Sequence, residues 1–311
     1  MRAELQGKHL VVLYGGLSAE RPVSLRSGAA VAQALTEAGY RVTLLDVDRT
    51  IAARLAAAQP DAVFLALHGR MGEDGTIQGL LEYLAIPYSG SGVLASALAL
   101  DKLRSKQVFT AAGIPTPPWL VAERGGPVPA PASYPVVVKP ILEGSSIGMS
   151  LVRSAAELPA ALERAFACDA TVLLEEYQAG REITVSIIGN RRLRALPAVE
   201  VVPDSGFFDY EAKYTKGKTQ YIVPARLTDD EAAAAAAVAQ AAYRALGCRG
   251  LARVDVIVRA GNRPTVLEVN TLPGMTATSL VPKAAAAAGI TFAQLLEDVL
   301  VLALQGDDDG V

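Results

Sequence analysis

Between His9 and Pro87 the chain alternates short apolar runs with stretches of helical period, and no other feature restricts its fold as much. The runs at 9–14, 41–47 and 61–67 have strand length, while 24–38 and 49–58 carry helical spacing. Parallel strands cannot be joined by tight turns and need a long crossover, usually a helix. The order strand, helix, strand, helix, strand therefore predicts an α/β unit built on a doubly wound parallel sheet. Ligands of such sheets sit beyond the carboxyl ends of the strands, where Gly15-Gly16 and His68 fall.

At 311 residues and 51% hydrophobic content, the chain exceeds the roughly 250–300 residues at which one core stops growing, so several lobes are expected. The parallel-sheet unit occupies 1–90. A helical stretch at 91–112, the breakers Pro115, Pro117 and Pro118, and strands at 135–139, 149–152 and 172–177 around a helix at 155–167 outline a central lobe over 91–179. Strands at 182–188 and 193–202, an aperiodic aromatic stretch at 205–220 read as a loop over a site, and an alanine-rich helix at 232–242 open a C-terminal lobe over 180–306. The last residues, 307–311, read as a solvated acidic tail.

A net charge of -3 and a pI near 5.6, without a basic run, argue against nucleic acid as a partner. The apolar run near the N-terminus is too short for a signal core or a membrane span, and a cytoplasmic location is expected. Cys168 and Cys248 lack the spacing of a zinc or redox pair and read as small core residues.

Two strand-like runs, 253–258 and 265–270, flank Gly261-Asn262, a dipeptide that favours a two-residue hairpin turn. Counting outward from such a turn sets Asp255 opposite Glu268 and Arg253 opposite Asn270, all on one face. Carboxylates directly opposite each other repel, and a hard divalent cation relieves the conflict. An exposed face of solvated charges would give the same pattern, because Val254, Val256 and Val258 alone make an ordinary buried side.

The loop Glu143-Gly144-Ser145-Ser146-Ile147-Gly148 suits either a hairpin or a phosphate cradle, and Lys139 at the end of the preceding apolar strand favours an anion. Lys102 belongs to a helix where a solvated face is the default reading. Glu20 precedes a helix start, a position that suits a carboxylate whether or not it binds a ligand. His68 leads into a glycine-rich loop and is favoured as a site residue, without a second histidine to make a metal pair.

The segments GGLSAE, ALHGRMGEDGTIQGLLE, PYSGSGVLASALALDKLRSK, VVKPILEGSSIGMS, FFDYEAKY, GLARVDV and LEVNTLPGMTATSLVP resemble, in this order, the D-alanine:D-alanine ligase family of the ATP-grasp superfamily. The resemblance covers nearly the whole chain. It implies an ATP-grasp architecture, α+β in its central and C-terminal lobes, and a ligase that uses ATP to join two D-alanines for the peptidoglycan of the cell wall. Lys102, Lys139, Gly144, Ser145, Ser146 and Lys213 would then hold phosphates, Glu175, Glu176, Tyr177 and Gln178 would form the adenine hinge, and Glu182 would take the ribose. Asp255, Glu268 and Asn270 would hold two magnesium ions, replaceable by manganese, and a monovalent cation is allowed for. Glu20, linked through Ser145 to Tyr214, would receive the first D-alanine ammonium, with His68 near its carboxylate. Arg253 and the Gly274 N–H would face an oxyanion, and Ser279 and Leu280 the second carboxylate. A homodimer is expected, with no nucleic acid or membrane partner.

The chain departs from the family pattern at Pro22, at Glu176 in the hinge and at Ile141-Leu142. Two alternatives stay open: a ligase that takes D-lactate as second substrate, against which Tyr214 argues, and a catalytically silent nucleotide binder on the same fold.

Overall fold

A computed structural model describes residues 2–215 and 217–306, with Tyr214 described by its backbone alone. The expected acidic tail at 307–311 lies outside the described residues. The N-terminal elements are β1 (His9–Tyr14), α1 (Arg21–Glu37), β2 (Arg41–Asp46), α2 (Ile51–Ala58), β3 (Ala62–Leu65) and α3 (Thr76–Tyr83). Both β2 and β3 pair in parallel with β1, in the order β2-β1-β3, as the alternation of runs predicts.

The helical stretch expected at 91–112 is two helices, α4 (Val93–Leu100) and α5 (Lys102–Ala111). Asp101 breaks it by taking extended backbone (ψ 98°) and capping α5, its carboxylate accepting from the Arg104 N–H at 2.9 Å. Aspartate competes well for such a cap and poorly inside a helix.

The central lobe has β4 (Trp119–Glu123), β5 (Val136–Pro140), β6 (Ser150–Val152), α6 (Leu158–Cys168) and β7 (Thr171–Glu176), its antiparallel sheet ordered β4-β7-β5-β6. The strand β4 between the two breaker-rich segments is not foreseen by local pattern, because its burial alternates weakly and its partner β7 is far along the chain.

The third sheet contains β8 (Arg181–Ile188), β9 (Arg194–Ala195), β10 (Val199–Pro203), β11 (Thr219–Ile222), β12 (Leu251–Arg259) and β13 (Arg263–Asn270), with α7 (Tyr210–Tyr214) and α8 (Asp229–Ala245) between strands. The aperiodic 205–220 stretch thus contains the short α7 and the start of β11. The chain closes with α9 (Leu280–Ala287) and α10 (Phe292–Gln305). A capping box of Thr228 and Glu231 starts α8, whose face of Ala235, Val238, Ala239, Ala242 and Tyr243 covers Val254, Val256 and Val258 of β12.

The cores cross the boundaries of chain order at two places. Ala95, Ala99, Phe109 and Ile114 lie in the core beneath α8, and Leu295, Leu296, Val299 and Leu300 of α10 pack with Leu10 and Val12 of β1. These apolar faces tie the lobes around a cleft. Cys248 is buried, and burial pushes its thiol up to about 12; Cys168 is only partly covered. Among the described residues no single helix is long and apolar enough to cross a membrane.

Candidate active site

The hairpin of β12 and β13 does pair Asp255 with Glu268 and Arg253 with Asn270, by a different route from the simple count. The turn is three residues long, Ala260-Gly261-Asn262, with Gly261 and Asn262 at φ 78° and 53°. That shift is cancelled by a β-bulge: Asp255 faces Glu268 while the next residue, Val256, faces Val266. Leu267 is the extra residue, and it lines the neighbouring cavity.

Asp255 is buried, and both its oxygens are taken by Arg253, whose Nε and Nη2 donate at 2.7 and 2.8 Å. Glu268 lies 3.9 Å from the Lys102 Nζ. Burial opposes its ionisation, but Lys102, Lys213, Lys139 and Arg253 outweigh that and hold it at about 2. Asn270 Oδ1 accepts from the Leu272 N–H at 3.1 Å. In donor chemistry this set fits a hard dication: three oxygen ligands on one sheet face, two of them carboxylates facing each other. Arg253 occupies Asp255 as a cation of the chain itself and would have to release it.

From the opposite wall, Lys102 at the start of α5 donates to the Glu143 carbonyl at 2.6 Å, which anchors the loop 142–149. Ser145 and Ser146 in that loop both have left-handed backbone (φ 54° and 58°), a conformation costing an L-residue about 1–2 kcal/mol. Ser145 Oγ donates to Glu20 Oε1, joining this loop to the one after β1. Glycines flank that carboxylate on both sides: a Cβ on Gly144 or on Gly69 would lie 2.7 Å from Glu20 Oε2 and would displace it, and Gly69 also has left-handed backbone (φ 70°).

His68 is buried, its Nε2 3.2 Å from Ser27 Oγ and its carbonyl accepting from Ser18 Oγ at 2.6 Å. Burial lowers its pKa to about 4, with Arg253 and Arg26 acting in the same direction, so the ring is neutral at neutral pH. Glu73, which the sequence reading leaves unassigned, lines the same cavity and accepts from the Gly69 N–H at 2.6 Å. Burial, together with the nearby Glu20, pushes it up to about 8. Its only local signal is a carboxylate four residues after Gly69 in a glycine-rich loop.

A cavity of about 360 Å³ brings together Glu20, His68, Arg253, Gly274, Ser279 and Leu280. It shares Lys102, Gly144, Ser145, Lys213, Asp255 and Glu268 with a smaller cavity that adds Lys139, Ser146 and Glu182. A third cavity, of about 280 Å³, shares Lys139 and Glu182 and is lined by Glu175, Glu176, Tyr177 and Gln178. Burial pushes Glu182 up to about 7, opposed by Lys213. Lys213, on α7, lies 5.0 Å from the Phe208 ring. Glu175 is not open to a ligand: its carboxylate accepts from Lys139 Nζ at 2.6 Å and forms an ion pair with Lys106. The Tyr214 side chain lies outside the described residues.

Two sheets closing on a cleft lined by lysines and carboxylates, with a parallel-sheet unit at one end, form the ATP-grasp architecture. The family described as D-ala D-ala ligase C-terminus matches residues 108–301, and that described as D-ala D-ala ligase N-terminus matches 49–91. The D-alanine–D-alanine ligase of Moorella thermoacetica is 48% identical over 306 residues, covering 95% of this chain and 99% of its own. That of Anaeromyxobacter dehalogenans is 51% identical over 299 residues, covering 94% and 96%. The crystal structure of the Bacillus anthracis enzyme complexed with ATP matches with a TM-score of 0.86 at 34% identity, over 97% of this chain and 99% of that one. The chain belongs to the D-alanine–D-alanine ligase family.

Proposed function

We propose that this chain joins two D-alanine molecules into D-alanyl-D-alanine, with conversion of ATP to ADP and phosphate, in the synthesis of peptidoglycan precursors in the cytoplasm. The observation that carries this reading is the Ser145–Glu20 hydrogen bond, which couples a phosphate-type loop to an ammonium-binding carboxylate within one cavity. The γ-phosphoryl of ATP passes to a carboxylate oxygen of the first D-alanine, and the amine of the second, having lost a proton, attacks the acyl phosphate. The tetrahedral intermediate then expels phosphate.

Each residue has a task that its surroundings support. Glu20 takes the first ammonium, with Ser145 hydrogen-bonded to its carboxylate, and neutral His68 stands by the first carboxylate without adding charge. Lys102, Lys139, Lys213 and the Gly144-Ser145-Ser146 loop hold phosphates, while Glu182 receives the ribose. Among the described residues Gln178 Oε1 is buried without a hydrogen-bond partner beside the hinge, which suits an amino donor; Glu175, Glu176 and Tyr177 contribute backbone there. Arg253 and the Gly274 N–H stabilise the oxyanion, and Ser279 and Leu280 at the start of α9 hold the second carboxylate. Asp255, Glu268 and Asn270 hold two magnesium ions, or manganese in their place, which when bound neutralise the transferring phosphoryl group. The residues around α7 close over the cleft and keep water from the acyl phosphate. The exposed Tyr83, Val93 and Leu94 on the neighbouring α3 and α4 favour a homodimer through that face.

The test is phosphate release from ATP with D-alanine alone and with D-lactate added, followed by product identification. D-alanyl-D-alanine as the main product is expected at neutral pH. Preferential D-alanyl-D-lactate, or ATP binding without D-alanine-dependent phosphate release, would reverse the reading.

A further inference from the structure

A fully buried lysine lies outside every role given above. Lys106 stands one turn beyond Lys102 on α5, so both project from one helix face. Its ammonium has no exposure, forms an ion pair with Glu175 and donates to Thr116 Oγ1 at 2.9 Å; Thr116 in turn donates to the Val266 carbonyl at 2.9 Å. Thr116 therefore pins Lys106 to β13 from one side while Glu175 holds it from the other. The same carboxylate accepts from Lys139 at 2.6 Å.

The three charges make a buried cluster of two cations and one anion, in which Lys139 and Glu175 border the hinge cavity and Lys139 also borders the phosphate cavity. A buried carboxylate with a single cation would hold that cation hard, because separating them leaves an unpaired charge in a poorly solvated place. With two cations, one can leave while the carboxylate remains neutralised. Lys106 is pinned by Thr116 and lines none of the three cavities, whereas Lys139 lines both the phosphate and the hinge cavity.

We infer that Lys106 is a positioning residue for the nucleotide: as the permanent partner of Glu175, it leaves the Lys139 ammonium free to exchange from that carboxylate to a phosphate oxygen. The inference rests on the proposed reading of Lys139 as a phosphate ligand. It also accounts for lysine at a site with no access to water, where methionine of similar length would fill the space without a desolvation cost.

The test compares the affinities for ATP and for adenosine by calorimetry at fixed magnesium; their ratio isolates the contribution of the phosphates. In Lys106→Met, or Lys106→Gln should the first variant not fold, the ratio is expected to fall about tenfold, the scale of one charge-assisted hydrogen bond, with adenosine affinity kept. In Lys106→Met/Glu175→Gln no carboxylate competes for Lys139, and the ratio is expected to return to within about threefold of the wild type. An unchanged ratio in a folded single variant, equal losses for both ligands, or a double variant as weak as the single would each overturn the inference. If neither single variant folds, the double variant decides, and a ratio far below the wild type rejects it. A wild type that binds ATP no more tightly than adenosine would instead reject the nucleotide reading itself.

Discussion

His68 illustrates how one buried side chain sets both chemistry and pH response. Its ring is neutral because the walls around it exclude water and because Arg253 and Arg26 oppose a further positive charge. A histidine whose folded pKa is depressed takes up protons more readily when unfolded. Its contribution to stability is therefore complete above about 6.5 and is lost as the pH falls toward about 4, amounting to about 3 kcal/mol over that window. His68→Gln keeps a partner for Ser27 and removes the titration, so its urea midpoint should fall less than that of the wild type between pH 7 and 4.5. Parallel curves would show that His68 is not held neutral. Glu20 makes a complementary point, because its neighbours Gly69 and Gly144 leave room for a carboxylate where a Cβ would collide.

At the scale of elements, the break between α4 and α5 decides where two lysines point. The Asp101 carboxylate caps α5 and so fixes the first turn from which Lys102 reaches the Glu143 carbonyl. Asp101→Ala should cost about 1 kcal/mol of stability and raise the apparent requirement for ATP, read from urea unfolding and from steady-state kinetics. An unchanged unfolding midpoint would mean that the cap is dispensable. The helical propensity of 91–112 was legible in the sequence, but the break was not, since one aspartate inside a helical pattern is compatible with a solvated surface position. The hairpin shows a similar mixture. Its pairing of Asp255 with Glu268 follows from a count that assumed a two-residue turn, whereas the longer turn and the bulge at Leu267 reach the same pairing by offsetting one another. Local propensity could not distinguish these routes, because a bulge depends on the neighbouring strand and on what its extra side chain must face.

For the whole molecule, α10 crosses back to the N-terminal sheet and α4 and α5 pack beneath α8, so the lobes share cores and hold the cleft between them. The α3–α4 face carries Tyr83 at 90% and Leu94 at 70% exposure, the apolar side chains through which the proposed dimer would form. Leu94→Asp should convert a dimer to a monomer in sedimentation velocity without loss of the folded spectrum. A wild type that sediments as a monomer over the micromolar range would remove the dimer from the proposal.

The sequence by itself determined the parallel alternation of the first lobe and, through seven ordered motifs, the family, while the facing carboxylates of the hairpin followed from it only because turn length and bulge offset one another. These are periodic or contiguous patterns, carried by residues close in the chain. Tertiary structure alone decided that Glu20 meets Ser145 across 125 positions, that Glu175 is shared by Lys106 and Lys139, and that Arg253 holds Asp255. It also raised the proton affinity of Glu73 and lowered that of His68. The physical reason is common to all of these: the strength of a charge depends on the water removed from it and on the partners brought to it, and folding supplies both from distant parts of the chain.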